Sequence, residues 1–212
     1  EQDGLAFEHA SAAMRGDRDV VMRAVEWDGL TLRHASAAIR GDKDVVMRAF
    51  QQDHRAFQFA SSDLLGDKDF VVKAILQNPY AFQVASADLR GDKDVVMKAI
   101  QQNGDAFQFA STDLRRDKDF VMKVIQQNAY ALEYASVDLR GDNDVVMMAV
   151  STEGTALEYA TPSLKHDKEF ALKAMRVGGH LSKLPAEMQK DPDVRRAFEA
   201  SSSGFTTGSE RN

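Results

Sequence analysis

The chain has 212 residues, of which 43% are hydrophobic and 28% charged, and its formal net charge is −6. That composition is typical of a globular domain or a short repeat array, and the acidic balance argues against nucleic acid or anionic lipid as the main partner. Because the sequence contains no cysteine, disulfides, Cys–zinc sites, iron–sulfur clusters and thiol catalysis are excluded.

A dipeptide recurs along the chain at a constant interval of 25 residues. It is Ala-Ser in six copies and Ala-Thr in the seventh, and the copies begin at Ala10, Ala35, Ala60, Ala85, Ala110, Ala135 and Ala160. A fixed period of this size predicts a solenoid, in which each repeat packs on its neighbours. The period matches neither the tetratricopeptide nor the ankyrin repeat.

The interval sets the predicted domain organisation. The repeats are residues 3–27, 28–52, 53–77, 78–102, 103–127, 128–152 and 153–177, followed by a diverged cap at residues 178–200. Residues 1–200 are therefore expected to form a single domain. Residues 201–212 are rich in Ser, Thr and Gly, which predicts a flexible tail.

Each repeat carries the signals of two short helices. In the fourth repeat, Asn78 is an N-cap with Pro79 at the first helical position, and Gly91 suits the left-handed residue that closes a helix. Asp92 then caps a second helix. Apolar residues at Ala81, Phe82, Ala85 and Leu89, and at Val95, Val96, Ala99 and Ile100, mark one face of each helix. The predicted fold is an all-α solenoid of about eight 25-residue helix-pair repeats.

Pro162 complicates the first helix of the seventh repeat, because proline inside a helix removes a hydrogen bond and clashes with the preceding turn. One interpretation is that this helix breaks, so that Thr161, and by analogy the serines of the other repeats, caps a second short turn. The other is a single kinked helix in this repeat alone.

An aspartate keeps the 25-residue step and is assigned a structural capping role. These residues are Asp17, Asp42, Asp67, Asp92, Asp117, Asp142 and Asp167. Four of them follow Arg-Gly, which is also the sequence of a cell-adhesion ligand. Because the other copies keep the Asp but have different residues before it, helix capping is favoured over cell adhesion. Calcium binding by Asp-x-Asp pairs is disfavoured, since the acids lie at helix starts with a basic or amide residue between them.

No catalytic, cofactor-binding or metal-binding residue is predicted. His9 and His34 share a slot that holds Phe, Val or Tyr in later repeats, so half-buried packing is expected there. A two-His metal site would lack a third ligand. An enzyme would need ionisable groups that break the repeat pattern, and His166 and His180 are the candidates for such groups.

Some residues are candidates for contact with a partner. Trp27 stands where later repeats carry Gln or Thr, which fits either a partner contact or packing against the N-terminal residues. A glutamine row and an aromatic residue in the tail complete the set, which is Trp27, Gln58, Gln83, Gln108 and Phe205. Rows of Lys, Arg and Asp run alongside, and polar rows fit both an extended binding surface and an ordinary solvated face.

Residues 131–147 carry the pattern Ala-Leu-Glu-Tyr-Ala-Ser-x-Asp-Leu-Arg-x-Asp-x-Asp-Val-Val-Met. This repeat resembles the short tandem helical repeats catalogued as domain of unknown function forty-one sixteen. The resemblance covers about seven repeats, and Pro162, Arg116, Met148 and the last copy depart from the pattern. It implies an array of helical repeats without established catalytic activity, found in protists, algae and some bacteria, and it identifies no functional residues.

The leading functional hypothesis is a non-catalytic interaction or scaffold protein, in the form of a structural or assembly subunit of a larger complex. The more specific form of this hypothesis is a subunit of an organellar complex in an alga or protist. The expected partners are other proteins, with no nucleic acid, no cofactor and no direct membrane span. The alternative is a module of a multidomain protein that recognises peptides or small ligands. The chain starts at Glu1, which fits loss of a targeting segment and a plastid or mitochondrial location, but the compartment is unassigned.

Overall fold

A computed structural model describes residues 7–204, and the chain divides after Phe109 into two compact units. The N-terminal unit carries the long helices Arg18–Trp27, Lys43–Gln52, Lys68–Gln77 and Lys93–Gln102. The C-terminal unit carries the long helices Lys118–Gln127, Asn143–Thr152, Lys168–Arg176 and Pro192–Gly204. All regular elements in the described part of the chain are helical, so the predicted all-α solenoid class is confirmed.

The first half of a repeat differs from the prediction of one short helix. In the second to fourth, sixth and seventh repeats it consists of a six-residue 3-10 segment, an extended Ala-Ser or Ala-Thr step and a short turn of helix. The 3-10 segments are Gly29–His34, His54–Phe59, Pro79–Val84 and Gly104–Phe109 in the N-terminal unit, and Ala129–Tyr134 and Gly154–Tyr159 in the C-terminal unit. The short turns are Ala12–Gly16, Ile39–Gly41, Ser62–Leu65 and Ala87–Arg90, then Val137–Arg140 and Pro162–His166.

Three capping residues explain this division of one repeat. The side chain of Asn78 accepts a hydrogen bond from the Tyr80 N–H, Ser86 Oγ accepts one from Leu89 N–H, and Asp92 accepts from two N–H groups. Each cap starts a new helical segment, because a capping side chain replaces the backbone acceptor that an interior helical residue would use. The break interpreted from Pro162 is thus present in other repeats as well, and the single kinked helix is wrong.

Gly91 does not adopt the predicted left-handed conformation. Its φ is −96° and its ψ is −7°, and its N–H donates to the carbonyl oxygens of Ala87 and Asp88, both at 3.1 Å. Because Asp92 caps the next helix at once, the chain turns without a left-handed residue. Within the described residues, a positive φ occurs at Gly178, which follows the helix Lys168–Arg176.

The last repeat is irregular and the predicted tail starts too early. A 3-10 turn at Leu181–Lys183 and a short helix at Ala186–Lys190 precede the helix Pro192–Gly204. Residues 201–204 belong to that helix rather than to a flexible tail, and the hydroxyls of Ser201 and Ser202 donate to the Phe198 carbonyl. Residues 205–212, which include Phe205, lie outside the described residues.

The core of each unit is built from the same repeat positions. In the N-terminal unit, Phe57, Phe82 and Phe107 of the 3-10 segments are fully buried, as are pairs such as Val71 and Ile75 of the long helices. In the C-terminal unit, Leu132 and Leu157 occupy the phenylalanine position. Helices of four to ten residues are too short to be stable in isolation, so burial against neighbouring repeats stabilises them.

Adjacent residues of one long helix provide a matched test of this core. Ile75 is fully buried, whereas Leu76 is 57% exposed. We expect Ile75→Ala to reduce the free energy of unfolding by about 2–5 kcal/mol, since it leaves a cavity. Leu76→Ala should change it by about 0.5 kcal/mol or less. Urea unfolding of both variants measures the difference, and equal losses would contradict the placement of the core.

Candidate functional site

The exposed side of the long helices carries a row of sulfur and aliphatic side chains. In the N-terminal unit these are Met22, Met47, Val72 and Met97, and in the C-terminal unit Met122, Met147 and Leu172. Met47 is buried and the others are half-buried. The sequence analysis missed this row, although methionine at the 25-residue interval was a signal that could have found it. Flexible thioether side chains adapt to partners of varied shape.

One groove in the N-terminal unit is lined by the start of this row. Its cavity volume is about 520 Å³, and it crosses the helices Arg18–Trp27, Lys43–Gln52 and Lys68–Gln77. Met22, Met47 and Phe70 supply its apolar lining. We call this feature the methionine groove.

Charged residues of both signs surround the apolar lining of the methionine groove. Glu26 Oε1 lies 3.2 Å from a guanidinium nitrogen of Arg48, and the Lys43 ammonium lies 5.9 Å from the centre of the Phe70 ring. Asp69 and Lys73 also line the groove, and both are exposed. This mixed charge suits a peptide with polar and apolar residues better than a polyanion.

The same positions of the long helices form a second groove in the C-terminal unit. It has a volume of about 570 Å³, with Leu172 and Arg176 on one helix and Arg196, Ala197 and Ala200 on the next. Leu172 and Arg196 stand at the repeat position of the methionine row. Each unit therefore offers a groove on the exposed side of its long helices.

The predicted capping aspartates lie at the starts of the long helices. Asp17, Asp42, Asp67, Asp92, Asp117, Asp142 and Asp167 are the N-cap residues of their helices. Asp92 accepts the N–H groups of Asp94 and Val95 at 2.9 and 3.1 Å. No group of three or more His, Asp or Glu side chains within residues 7–204 is placed to hold a metal ion.

Several capping aspartates also form an ion pair with a lysine of the preceding repeat. Lys68 contacts Asp92 at 2.7 Å, and in the C-terminal unit Lys118 contacts Asp142 and Lys168 contacts Asp191, both at 2.8 Å. The hydrogen bond from Lys68 holds the pKa of Asp92 below its ordinary value, and Lys168 does the same to the pKa of Asp191. These pairs tie adjacent repeats together at the edge of the long helices.

The residues predicted to contact a partner do not lie together in the structure. Gln58 and Gln83 share a smaller groove of about 260 Å³ with Tyr80, and the Gln58 amide donates to the Arg55 carbonyl at 2.9 Å. Gln108 makes the same bond to Asp105 at 3.0 Å. The side-chain amides of Gln58 and Gln108 thus each make a hydrogen bond within their own repeat. Trp27 is elsewhere, 79% exposed at the end of its helix.

The histidines are dispersed among different surroundings. His34 is half-buried, as expected for its slot, and burial lowers its pKa, whereas His9 is exposed, contrary to the expectation. The His166 ring lies 3.1 Å from Glu187, on the surface. His180 lines a cavity of about 800 Å³ in the C-terminal unit with Arg176 and Phe198, and no described carboxylate lines it. The cleft holds the Arg176 guanidinium and the His180 ring, and its described lining supplies no acid–base pair.

The pairing of Lys68 with Asp92 has a measurable pH signature. A depressed carboxyl pKa stabilises the folded chain above the ordinary pKa of about 4, and this contribution is lost as the pH falls through the depressed value. We expect Lys68→Met to raise the pKa of Asp92 in an NMR titration and to move the acid unfolding midpoint to higher pH. Lys73→Met, at an exposed lysine of the same helix, should change neither, and equal shifts in both variants would contradict the assignment.

A known protein family matches this chain over most of its length. The family described as domain of unknown function DUF4116 matches residues 1–40, 42–90, 92–140 and 142–194, so each of the last three matches covers two 25-residue repeats. No curated protein and no solved structure matches the chain. Within residues 7–204, none of the helices has both the length and the apolar character needed to cross a membrane. The match over most of the sequence establishes that the chain belongs to the DUF4116 family.

Proposed function

We propose that this chain is a non-catalytic protein-interaction module that holds a segment of a partner protein in the methionine groove. The observation that carries the proposal is the combination of an adaptable apolar lining with charges of both signs around it. Such a site takes a peptide by burying one or two apolar side chains and pairing charges at the rim. The proposed role is that of a scaffold or structural subunit in a larger assembly.

The charge distribution supports a protein partner over nucleic acid. The methionine groove is lined by three acidic residues and three basic residues, which are Glu26, Asp44, Asp69, Lys43, Arg48 and Lys73. Nucleic-acid affinity depends on a dense positive surface that neutralises several phosphates. A groove with balanced charge instead selects a partner by the positions of its charges.

A transient peptide-recognition role is the alternative. It uses the same groove, and it differs from the assembly role in the lifetime and stoichiometry of the complex. A structural subunit is recovered with fixed stoichiometry in a large particle, whereas a recognition module exchanges its partners. Size analysis of the complex separates the two roles.

Photo-crosslinking identifies the partner and the surface together. The tagged chain, with photoreactive methionine in place of its methionines, is purified from its native source and irradiated. We expect partner peptides attached at Met22 and Met47. Recovery of the chain as a lone 23.5 kDa monomer, or crosslinks at Met14 alone, would contradict the proposal.

A charge reversal on the rim then tests the affinity. Lys73 lines the groove, and Arg33 is an exposed basic residue that does not. With the identified partner, we expect Lys73→Glu to weaken binding roughly tenfold, which corresponds to about 1.4 kcal/mol. Arg33→Glu should stay within about twofold of the unchanged chain, as measured by isothermal titration calorimetry. Equal effects would place the partner elsewhere.

A further inference from the structure

The methionine groove lies over a wide interval between two long helices of the N-terminal unit. Arg18–Trp27 packs closely on Lys43–Gln52, and Lys68–Gln77 packs closely on Lys93–Gln102. The backbones of Lys43–Gln52 and Lys68–Gln77, in contrast, approach each other closely at far fewer positions. Most of the residues that line the groove belong to these two separated helices, so the groove is centred on the interval between them.

Phe70 forms the floor of this interval. Its side chain is 5% exposed, and its ring stacks on that of Phe57 with the ring centres 5.7 Å apart. The same position of the two neighbouring long helices holds the smaller residues Val45 and Val95. Because protein interiors are close-packed, a larger side chain is needed where two helices lie farther apart. The groove therefore has a packed apolar floor, on which another apolar surface can rest.

Most of the charged side chains around the groove already pair with residues of the same unit. These ion pairs join Glu26 to Arg48, Lys43 to Asp67, and Asp44 to Arg18. Asp69 and Lys73 also line the groove, and neither has an ion-pair partner among residues 7–204. The groove therefore presents one carboxylate and one ammonium whose charges are open to a bound molecule.

The residues at the same two repeat positions of the C-terminal unit pair with each other. Glu169 and Lys173 form an ion pair at 2.7 Å along the helix Lys168–Arg176. Asp69 has one methylene fewer than Glu169, so its carboxylate lies farther from the lysine one helical turn away. The N-terminal unit thus keeps two unpaired opposite charges beside an apolar groove, whereas the charges at the equivalent positions of the C-terminal unit are satisfied.

The spacing of Asp69 and Lys73 selects the conformation of a segment that lies along their helix. Four residues of an α-helix rise about 6 Å. In an extended segment, two charges at that spacing are residues i and i+2, and the side chain between them points to the opposite face. In an α-helix they are residues i and i+4, with an apolar stripe beside them on the neighbouring face. A helix can therefore pair with both charges and place apolar side chains in the groove at the same time.

We propose that the segment bound in the methionine groove is an amphipathic α-helix that lies along Lys68–Gln77 in the antiparallel direction. Its apolar stripe contacts Met47 and Phe70, and a Glu and a Lys four residues later, beside that stripe, pair with Lys73 and Asp69. The antiparallel direction opposes the two helix dipoles, and Glu before Lys is the order that stabilises a helix on its own. This assignment rests on the proposed function and adds the chemistry of the partner to it.

A display library of random peptides tests the proposal with a defined probe. Peptides of about 15 residues, the length at which isolated helices begin to be stable, are selected against the full chain. Those that crosslink to photoreactive methionine at Met22 or Met47 are assigned to the methionine groove. We expect these peptides to carry apolar residues at helical spacing with Glu-x-x-x-Lys beside them, and to be helical in NMR spectra of the complex.

A charge exchange tests the register and the direction. The double variant Asp69→Lys with Lys73→Asp exchanges both charges and leaves the net charge unchanged. We expect the groove peptides to bind it at least tenfold more weakly, because both contacts become repulsive, and exchange of Glu and Lys in the peptide should restore binding. Glu169→Lys with Lys173→Glu is the matched control and should stay within twofold. Equal losses in the two variants, or no rescue, would overturn the proposal.

A single substitution provides the same test if circular dichroism shows that the double variant does not fold. Lys73→Glu should weaken the groove peptides at least tenfold, a peptide with Lys in place of its Glu should restore binding, and Lys173→Glu should have no comparable effect.

The selection also separates this proposal from the proposed function. Groove peptides that are extended in the complex, or that carry their charges in no fixed order, would overturn the helix and leave the interaction role in place. A selection without any peptide crosslinked to Met22 or Met47 would overturn both.

Discussion

The hydrogen bond from the Ser or Thr N–H of one repeat to a carbonyl of the repeat before it constrains much of this structure. It recurs at five places within the two units, at 2.8–2.9 Å. The donor is the residue after the Ala of the repeated dipeptide, where the chain is extended between a 3-10 segment and a short turn. Because that residue has left the helix, its N–H is free to reach the neighbouring repeat. The broken first half of the repeat is therefore what allows the repeats to be joined through their backbones.

Because neighbouring repeats pack in a fixed register, residues that recur every 25 positions in the sequence form rows on the surface. The long helices present the methionine position, the first cation and the N-terminal acids at the same place, so that Lys68 reaches Asp92 and Lys118 reaches Asp142. The sixth position of the cation series is interrupted, since Asn143 stands where the other repeats carry Lys or Arg. The rows explain why the long helices of each unit present defined surfaces.

Much of the fold could be predicted because the signals are local and repeated. The caps Asn78, Ser86 and Asp92 and the apolar face of Val95 and Ile100 can be identified in one repeat and checked in the others. The 3-10 geometry could not, because it results from competition between closely spaced caps and from the cross-repeat hydrogen bond, which no single segment contains. For the same reason Gly91 keeps a right-handed conformation, although glycine at a helix end usually predicts the opposite.

The candidate sites were less predictable than the fold. The glutamine row drew attention because it is polar and regular, yet the amides of Gln58 and Gln108 bond to their own repeats. The methionine row was overlooked because apolar residues at helical spacing are usually core, and only the structure shows that this row is mostly half-buried. Trp27 could be singled out as an exception to its repeat position, and the structure places it 79% exposed at the end of its helix.

Amide hydrogen exchange by NMR tests the cross-repeat hydrogen bond most directly. Exchange rates of the Ser and Thr amides at the repeated step report whether each N–H is bonded to the preceding repeat. The account predicts slow exchange at Ser36, Ser61, Ser86, Ser136 and Thr161, and fast exchange at Ser11, which has no described acceptor. Equally fast exchange at all six amides would contradict it, because the repeats would then be held by side-chain packing alone.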